Sequence, residues 1–541
     1  MPGIEPMQTR SQARGARSWA AVLLGTVVLT SCAVGPDYHT PQVRVPDHFD
    51  AVAHAVPAQS PGARTSSAEL AAWWHALGDA QLDSLIERAV TNNPSVLVAL
   101  DRLQAARLFE AGLTGTVLPE ADASAAFGRG TGSDNTRGRI GEPLHSATNT
   151  RALTNISTVG GFEAAWEIDL FGRIRREMQQ AHYNAQAAAD ARNAVLVSVI
   201  ADVARAYVDL RGLQMRAVVL NSAADTLREG VNIVTQRYQR GITNELDVTL
   251  EKRELATIEA EIPIVNAEVS AGEYAIATLV GEYPESLVSA LSAPSIIPSV
   301  PATIVPAVPG KVAPGLPLDL LRRRPDIAEA EREIAAANAG IGIATAELFP
   351  QVIATGALGF QQGDGGGATL GQHIWSAGPG VIWPLLDFGL LDARVQIANY
   401  QTRAALENYK ASIETAVQQV DSSFARFTAA QQSLLSLGDA LTASRRAVTL
   451  ATARYNRGII DYLNVVDAQR EEYAIEEQYV MTQDSVDDQY INLYRDLGGG
   501  WQEFQNIPPI PRPLPAVLAI FKDTLARSNP LKGPDGAAPG R

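Results

Sequence analysis

The chain has very few of the residues that build covalent or metal-linked frameworks. It contains one cysteine, Cys32, among 541 residues, which leaves no internal disulfide framework and no cysteine-based zinc site. Its seven histidines show no metal-ligand spacing, and no nucleophile–base constellation is visible. The formal net charge is −15, without a basic block of the size that nucleic-acid binding needs. These absences argue against an enzyme, a metalloprotein and a nucleic-acid-binding protein.

Long hydrophobic runs are also missing beyond the N-terminal region. No later stretch holds about 20 consecutive apolar residues, so we predict no transmembrane helix. A membrane-spanning role would therefore have to use β-strands. Aromatic residues make up only 6% of the chain, whereas alanine is abundant in the long polar–apolar stretches. This composition favours tightly packed long helices over a bulky globular core.

The N-terminal region has the pattern of a secretory signal. Three arginines precede an apolar run over 19–29, and Leu29-Thr30-Ser31-Cys32 follows; the run is too short to span a bilayer as a helix. The tetrapeptide resembles a bacterial lipobox, so we predict a signal peptide over 1–31 and a lipid on Cys32. Ala33 follows the cysteine in place of an aspartate, which in lipoproteins implies sorting to the outer membrane. An ordinary secretory signal with a chance cysteine is the alternative.

The remainder of the chain contains a duplication. The hexapeptide Arg-Tyr-Gln-Arg-Gly-Ile at 237–242 returns as Arg-Tyr-Asn-Arg-Gly-Ile at 454–459, an offset of 217 residues. Trp166 and Gly172 return at the same offset as Trp383 and Gly389, and Pro94 and Pro119 return at an offset of 231 as Pro325 and Pro350. The 14-residue difference falls between Pro119 and Trp166. A duplication that keeps its length inside blocks predicts two similar structural units.

Each half contains two stretches of alternating polarity, which predict half-buried strands. In the clearest stretch the apolar series Phe162, Ala164, Trp166 and Ile168 alternates with a face that carries Glu163, Glu167 and Asp169. In a water-soluble sandwich the acidic face would be outside, whereas in a membrane barrel it would face the lumen and the tryptophan face would meet lipid. Four strands per chain cannot close a barrel with a lumen, and an open edge is not allowed in lipid. A trimer would supply twelve strands.

The strands are followed by unusually long helical segments. No proline interrupts the 66 residues from Arg173 to Tyr238, which could form a helix of about 99 Å. Apolar residues step by three and four along it, as in a coiled-coil seam, and 390–455 is a second proline-free run. Gly241 and Gly458 are candidates for the chain reversals, and a shorter helix follows each. Each half is thus predicted as helix, strand, strand, very long helix, turn and helix.

The segments between and around the repeats complete the predicted organisation. A Pro-, Ser- and Val-rich linker separates the halves, and a Pro-rich tail follows the second. The predicted boundaries are a lipidated arm over 32–78, a first repeat over 79–283 that opens with one helix from about Asp79 to Thr116, a linker over 284–317, a second repeat over 318–500 and a tail over 501–541.

Together these residues resemble the TolC-like outer-membrane efflux factors, closest to the lipoprotein branch that partners resistance-nodulation-division pumps. The resemblance covers nearly all of the mature chain and is carried by motifs in a fixed order. These are Cys32-Ala-Val-Gly-Pro-Asp-Tyr38, Leu316-Pro-Leu-Asp-Leu-Leu-Arg-Arg-Arg-Pro-Asp326, Phe349-Pro350, Trp383-Pro…Asp387-Phe-Gly389 and Arg454-Tyr…Gly458…Asp467-Ala-Gln-Arg470.

The resemblance implies a mostly α fold with membrane β-strands. Three chains would form a twelve-stranded β-barrel in the outer membrane and a long α-helical barrel in the periplasm. The implied function is a passive export duct for drugs or other small molecules. Its partners would be a second and third copy, a periplasmic adaptor, an inner-membrane pump and outer-membrane lipid. It would use no cofactor apart from the covalent lipid on Cys32.

The resemblance also implies a gate just beyond the second turn. Leu463 and Asp467 are spaced i, i+4 and therefore share a helix face. In the family the matching positions line the constriction, where three leucines would form an apolar plug and three aspartates an acidic ring of the kind used for cation selectivity. Some relatives carry a second acid where this chain has Asn464, so a double ring is not expected. On spacing alone, both residues could simply pack or face water.

Two further sets of tip residues take roles from the resemblance. Relatives hold the closed tip with a tyrosine–aspartate hydrogen bond, and we hypothesise one between Asp247 and Tyr455; a packed tyrosine and an exposed aspartate are the alternative. The basic tip would dock the adaptor, or its arginines could pair with nearby acids as solvated helix ends. The docking set is Arg237, Arg240, Gly241, Arg454, Arg457 and Gly458.

Two other functions compete with the small-molecule duct. A type I protein-secretion duct would share the fold, although the lipobox and the 316–326 motif favour small-molecule efflux. A non-conducting scaffold lipoprotein would span the envelope as a coiled-coil spacer. The acidic strand face of Glu163, Glu167 and Asp169 distinguishes the duct from the scaffold, because a scaffold has no need of a barrel.

Overall fold

A computed structural model describes residues 33–53, 66–129, 156–291, 312, 315–365 and 368–506. The predicted signal peptide, Cys32 and the tail from 507 onward lie outside these residues. The chain divides into one compact unit that ends at Phe504 and a second unit that begins at Gln505. Within the described residues no helix is both long and apolar enough to cross a membrane.

The first repeat follows the predicted order, with one correction at its start. It consists of α1 (Ala80–Asn92), α2 (Pro94–Leu113), β1 (Glu120–Arg129), β2 (Ile156–Ile168), α3 (Arg173–Gln239) and α4 (Glu245–Val280). The single helix predicted over 79–116 is wrong, because two helices meet at Asn93. The Asn93 side chain accepts hydrogen bonds from the backbone N–H groups of Ser95 and Val96, which caps a new helix whose first residue is a proline.

The second repeat has the same order and is preceded by one further helix, α5 (Pro284–Leu291). It consists of α6 (Pro317–Arg323), α7 (Pro325–Ala346), β3 (Gln351–Gly365), β4 (Ala368–Ile382), α8 (Leu390–Asn456) and α9 (Leu463–Asp496). α5 lies inside the predicted linker. It forms there because Leu287 and Leu291 are fully buried in the main core.

The two long helices are equal in length. α3 and α8 each contain 67 residues, which corresponds to about 100 Å. In α3 the predicted seam is buried: Leu196, Val203 and Leu210 have no solvent exposure. Burial along one stripe of such a helix, not intrinsic propensity, supplies most of its stability.

The four strands form one antiparallel sheet in the order β1-β2-β3-β4. Glu120 pairs with Ala165 in the first hairpin, and Gln351 pairs with Ile382 in the second. These pairs are related by the two offsets of the duplication, so both hairpins have the same register. β1 and β4 are the outer strands, and within the described chain each pairs on one side only.

The apolar core is divided along the long helices. The largest cluster lies where α1, α7, α8 and α9 pack around α3, and it includes Trp73, Trp74, Phe427 and Tyr490. A second cluster lies further along α3 around Leu227, and a third surrounds the two turns. The main core anchors the middle of the molecule, whereas the turns rest on a much smaller cluster.

Candidate functional site

The two predicted chain reversals are present and have the same geometry. Gly241 and Gly458 have φ values of +72° and +71°, in the left-handed region that favours glycine. Ile242 N–H donates to the Arg237 carbonyl over 2.9 Å, and Ile459 N–H donates to the Arg454 carbonyl over 3.0 Å. This is the Schellman cap, and the repeated hexapeptide builds it twice.

The two helical hairpins contact each other next to these turns. The guanidinium carbon of Arg237 lies 4.7 Å from the centre of the Tyr455 ring, a cation–π geometry. Arg237 Nη1 also donates to Asn456 Oδ1 over 3.2 Å. The Tyr455 ring in turn packs against Tyr462 with 4.8 Å between ring centres. Arg237 therefore joins the hairpins.

The other predicted docking residues lie on the surface of the tip. Arg240, Gly241, Arg454, Arg457 and Gly458 are all exposed, whereas Arg237 is half-buried. An adaptor would therefore meet the three exposed arginines before it met Arg237. Docking at this surface stays a prediction.

The predicted hydrogen bond between Asp247 and Tyr455 is absent from the described chain. The Asp247 carboxylate accepts a hydrogen bond from the Thr243 hydroxyl, and its backbone N–H donates to the Asn244 side chain that caps α4. The Tyr455 hydroxyl is buried and has no hydrogen-bond partner among the described residues. Both groups are near the tip, but the local cap holds Asp247 and the Tyr455 ring faces Arg237 and Tyr462. A latch at these positions stays a prediction.

A buried acid of the tip was not anticipated from the sequence. Glu251 on α4 has 0% exposure, and neither carboxylate oxygen has a well-formed hydrogen bond within the part of the chain that the structure describes. Burial raises the pKa of Glu251 to about 7; the nearby Tyr462 hydroxyl opposes this shift and Glu254 adds to it. The acid fits only because its neighbour on α3 is Gly230, where a Cβ would collide with Glu251 Oε1. The duplication is the one signal of this acid in the sequence. At the offset of 217 residues the counterpart of Glu251 is Ala468, so one repeat has an acid where the other has alanine.

The predicted gate residues lie on an open surface of the chain. Leu463 is the first residue of α9, and it and the Asp467 side chain are each about half exposed. The neighbouring Val465 and Val466 are buried. The face of α9 that carries Leu463 and Asp467 therefore points away from the small apolar cluster at the two turns. Arg470 Nη2 lies 3.7 Å from Asp467 Oδ1. This cation next to the predicted acidic ring was missed by sequence reasoning, although its i, i+3 spacing was visible.

Two of the three predicted lumen acids hold the junction between β2 and α3. Glu167 Oε2 lies 2.6 Å from Arg173 Nη2, which belongs to the first turn of α3. Asp169 accepts hydrogen bonds from the backbone N–H groups of Ile174 and Arg175 and pairs with the Arg175 side chain. Glu163 is partly exposed. Glu167 and Asp169 therefore fasten the start of a long helix, and a lumen-facing role for all three stays a prediction.

The N-terminal arm is fastened to the same junction. Val34 N–H donates to the Phe171 carbonyl over 3.0 Å. The Arg176 side chain is only 4% exposed and donates to the Val34 and Gly35 carbonyls and to Asp37. The arm crosses α7 at Gly342, because a Cβ on Gly35 would lie 2.5 Å from the Gly342 Cα. The arm therefore begins next to the point where strand becomes helix.

The opposite face of the strands is apolar and open. Phe162, Leu358 and Trp375 are largely exposed in the chain. Trp166, also on β2, donates its indole N–H to the Val117 carbonyl over 2.9 Å. Among the described residues no group of three or more His, Cys, Asp or Glu side chains is placed to hold a metal ion.

Comparison with known proteins agrees with this geometry. The family model described as "Outer membrane efflux protein" matches residues 85–282 and 316–499, which is more than half of the chain. The toluene efflux pump outer membrane protein TtgC of Pseudomonas putida is 29% identical over 494 residues, which covers 90% of this chain and 96% of TtgC. Nodulation protein T of Rhizobium leguminosarum bv. viciae is 28% identical over 484 residues, with 89% and 93% covered.

Solved structures show the same likeness. The outer-membrane channel OprN is 33% identical, has a TM-score of 0.73, and the match covers 87% of this chain and 100% of OprN. The open state of the MtrE outer membrane channel of Neisseria gonorrhoeae is 25% identical with a TM-score of 0.69, and 87% and 99% are covered. With both repeats matched in sequence and fold, the chain belongs to the outer membrane efflux protein family, whose members are outer-membrane channel proteins and not enzymes.

Proposed function

We propose that three copies of this chain form the outer-membrane duct of a tripartite efflux system. Their twelve strands would close a barrel in the outer membrane, and their long helices would continue it across the periplasm. The observation that carries the proposal is the repeated unit: two strands, a 67-residue helix and a Schellman-capped turn, present twice with one register. Each unit reaches from a sheet edge that needs partners to a turn about 100 Å along the helix.

The cargo and partners follow from the relatives' names. TtgC is named for toluene efflux, and the relative ArpC of Pseudomonas putida is named for antibiotic efflux. We therefore propose that small organic molecules pass through this duct. A periplasmic adaptor would dock on the exposed arginines of the tip, and an inner-membrane pump of the resistance-nodulation-division class would supply the energy. The duct itself would be passive.

The lipid anchor would start at the strand-to-helix junction. Ala33 packs against Gly172, where a Cβ would come within 2.6 Å of the Ala33 Cα. Cys32 directly precedes Ala33, so a lipid on Cys32 would enter the membrane beside the base of the strands. Anchor and barrel would then meet the same leaflet.

The gate would combine an apolar plug with a partly neutralised acidic ring. Three Leu463 side chains, each exposed in the single chain, would meet on the threefold axis. Three Asp467 carboxylates would lie one helical turn further, each with Arg470 beside it. The arginines would weaken the cation preference of the ring without abolishing it, since an exposed pair at this distance is worth less than about 1 kcal/mol.

Planar-bilayer conductance of the purified trimer tests the proposal. We expect a low, cation-preferring conductance in the wild type and a sharp rise in the double variant Leu463→Gly/Asp467→Ser. Leu246→Gly is the matched control, because Leu246 is the repeat counterpart of Leu463 and is also exposed; it should raise conductance much less. Equal conductance in all three proteins would remove the gate but keep the duct. No conductance from folded, inserted trimers would favour a non-conducting scaffold.

A further inference from the structure

One turn of α9 places three acids at its contact with α3. Asp484, Asp487 and Asp488 are spaced i, i+3 and i+4, so they share a face of the helix. The carboxyl group of Asp484 lies against Gly212 of α3, where a Cβ would come within 2.9 Å of the carboxyl carbon. Asp488 Oδ1 lies 3.7 Å from Arg205 Nε, also on α3. The acids therefore lie between the two helical hairpins, because α3 belongs to the first hairpin and α9 to the second.

These acids are enclosed, and some of their oxygens lack partners. Asp487 is 2% exposed, and Asp484 and Asp488 are half-buried. One oxygen of each carboxyl group is buried without a hydrogen bond to any described residue; these are Asp484 Oδ1, Asp487 Oδ2 and Asp488 Oδ1. A buried carboxylate without compensating hydrogen bonds is costly in its charged form. The positions therefore favour neutral acids.

The positive charge next to these acids comes from Arg205. Its charge is shared, because it also donates to Asn492 Oδ1 and pairs with Asp202 over 3.5 Å. A fourth acid, the half-buried Asp209, lies one turn from Arg205 on α3. Among the described groups that shift the pKa values of the four acids, Arg205 is the one cation, and the others are the acids themselves. Four acids thus share one arginine.

The acids hold their protons more tightly than free aspartic acid does. Burial raises the pKa of Asp487 to about 8 and that of Asp484 to about 7, and neighbouring carboxylates add to both shifts. Burial also raises the pKa of Asp488, to about 6, where Arg205 opposes the shift. Since these values exceed the ordinary 3.8, protonation stabilises the folded chain. The benefit is complete below about pH 3.8 and is lost as the pH rises through about 6 to 8.

The duplicated helices do not need these acids in order to form. At the offset of 217 residues, the counterparts of the three α9 acids on α4 are Ala267, Ser270 and Ala271. The counterpart of Asp209 on α8 is Arg426. The cluster is therefore particular to the contact between α3 and α9 and is not a requirement of the repeated backbone.

We infer that Asp209, Asp484, Asp487 and Asp488 form a proton-controlled joint between the two helical hairpins. While the acids are neutral, α9 packs closely on α3. When the pH rises and the acids ionise, like charges repel across the contact and loosen it. α9 begins at Leu463, so this loosening also weakens the hold on the helix that carries the proposed gate. The link to the gate rests on the proposed function, whereas the joint itself does not.

Amide hydrogen exchange of the full-length protein tests the joint. Asp487→Asn keeps the shape of the side chain and removes its charge. Over residues 480–495, the exchange rate of the wild type divided by that of the variant should rise at least about tenfold between about pH 5.5 and 8.5. Comparing two proteins at the same pH cancels the intrinsic pH dependence of exchange. Glu471→Gln, which removes an exposed acid of the same helix, is the matched control and should follow the wild type.

The outcomes separate this inference from the proposed function. A rate ratio that stays constant with pH, in protein that remains folded by circular dichroism, would overturn the joint and leave the duct proposal standing. Asp484→Asn gives the same comparison at a half-buried position if Asp487→Asn does not fold. Planar-bilayer conductance at the same two pH values tests the link to the gate, since conductance of the wild type should rise with pH more than that of Asp487→Asn. Equal changes in the two proteins would overturn that link.

Discussion

The two repeats share a backbone but differ at both ends of their long helices. Register, turn geometry and helix length are the same in the two halves. At the strand-to-helix junction, however, the first repeat has the buried Arg176 where the second has Ala393. At the tip the first repeat has the buried Glu251 where the second has Ala468. The backbone is therefore alike at these places, and at each end of the long helix a buried charged residue of the first repeat is replaced by alanine in the second.

This difference follows from what each repeat must contact. The first junction receives the N-terminal arm, and Arg176 fills the space between the arm and α7. The chain has one such arm, and among the described residues none takes its place at the second junction, where Ala393 stands at the position of Arg176. Corresponding positions of the two repeats have the same backbone conformation because the sheet and the helices require it. Their side chains differ because the neighbouring residues differ between the two positions.

The largest expected effect is at Arg176. Arg176→Ala removes three hydrogen bonds to the arm from a buried cation, which should weaken attachment of the arm by about 2–4 kcal/mol. Limited proteolysis should then cleave the arm at least about 30-fold faster than in the wild type, since cleavage follows the population of the open form. Arg394→Ala is the matched control. It removes an exposed pair with Glu347 and should change the rate by less than about fivefold. Equal rates for the two variants would show that Arg176 does not hold the arm.

Glu251 should make the stability of the tip depend on pH. Its pKa is raised in the folded chain from the ordinary value of 4.5 to about 7, so the folded state binds the proton more tightly than the unfolded state. The benefit of protonation is complete below about pH 4.5 and is lost as the pH rises through about 7, with a penalty of at most about 3 kcal/mol above it.

Glu251→Gln removes this dependence. The difference in unfolding temperature between Glu251→Gln and wild type should be near zero at about pH 4.5 and should grow in favour of the variant up to about pH 8. Glu245→Gln, an exposed acid on the same helix, should show no such trend. A flat difference across the pH range would mean that Glu251 is not held in its buried, protonated form.

The smallest effect tests whether the repeats are energetically alike. Trp166→Phe and Trp383→Phe each remove one indole hydrogen bond of the same geometry, and each should cost about 1 kcal/mol. Trp375→Phe, at an exposed strand position, provides the baseline for loss of the indole itself. Chemical unfolding that gave clearly unequal losses for Trp166 and Trp383 would show that the two repeats are not energetically equivalent at these positions.

The fold and the family could be predicted from the sequence because their signals are local or repeated. Alternating polarity predicts strands over a few residues, the absence of proline permits a 67-residue helix, and Gly241 and Gly458 provide the left-handed residue that each turn needs. The duplication then makes each half a check on the other. The split at Asn93 was missed because Pro94 is equally compatible with starting a helix and with ending one.

Only the tertiary structure decided which charged residues are buried and what they contact. Arg237, for which docking stays a prediction, packs on Tyr455 and donates a hydrogen bond to Asn456, 219 residues away, and neither contact could be predicted from the sequence. Glu167 and Asp169, for which a lumen-facing role stays a prediction, also fasten the start of α3 through contacts that the sequence did not indicate. Periodicity and composition act over a few residues and specify elements. Burial and pairing depend on groups that the fold brings together from distant parts of the chain, and a charged side chain carries no local mark of whether it will be exposed or enclosed.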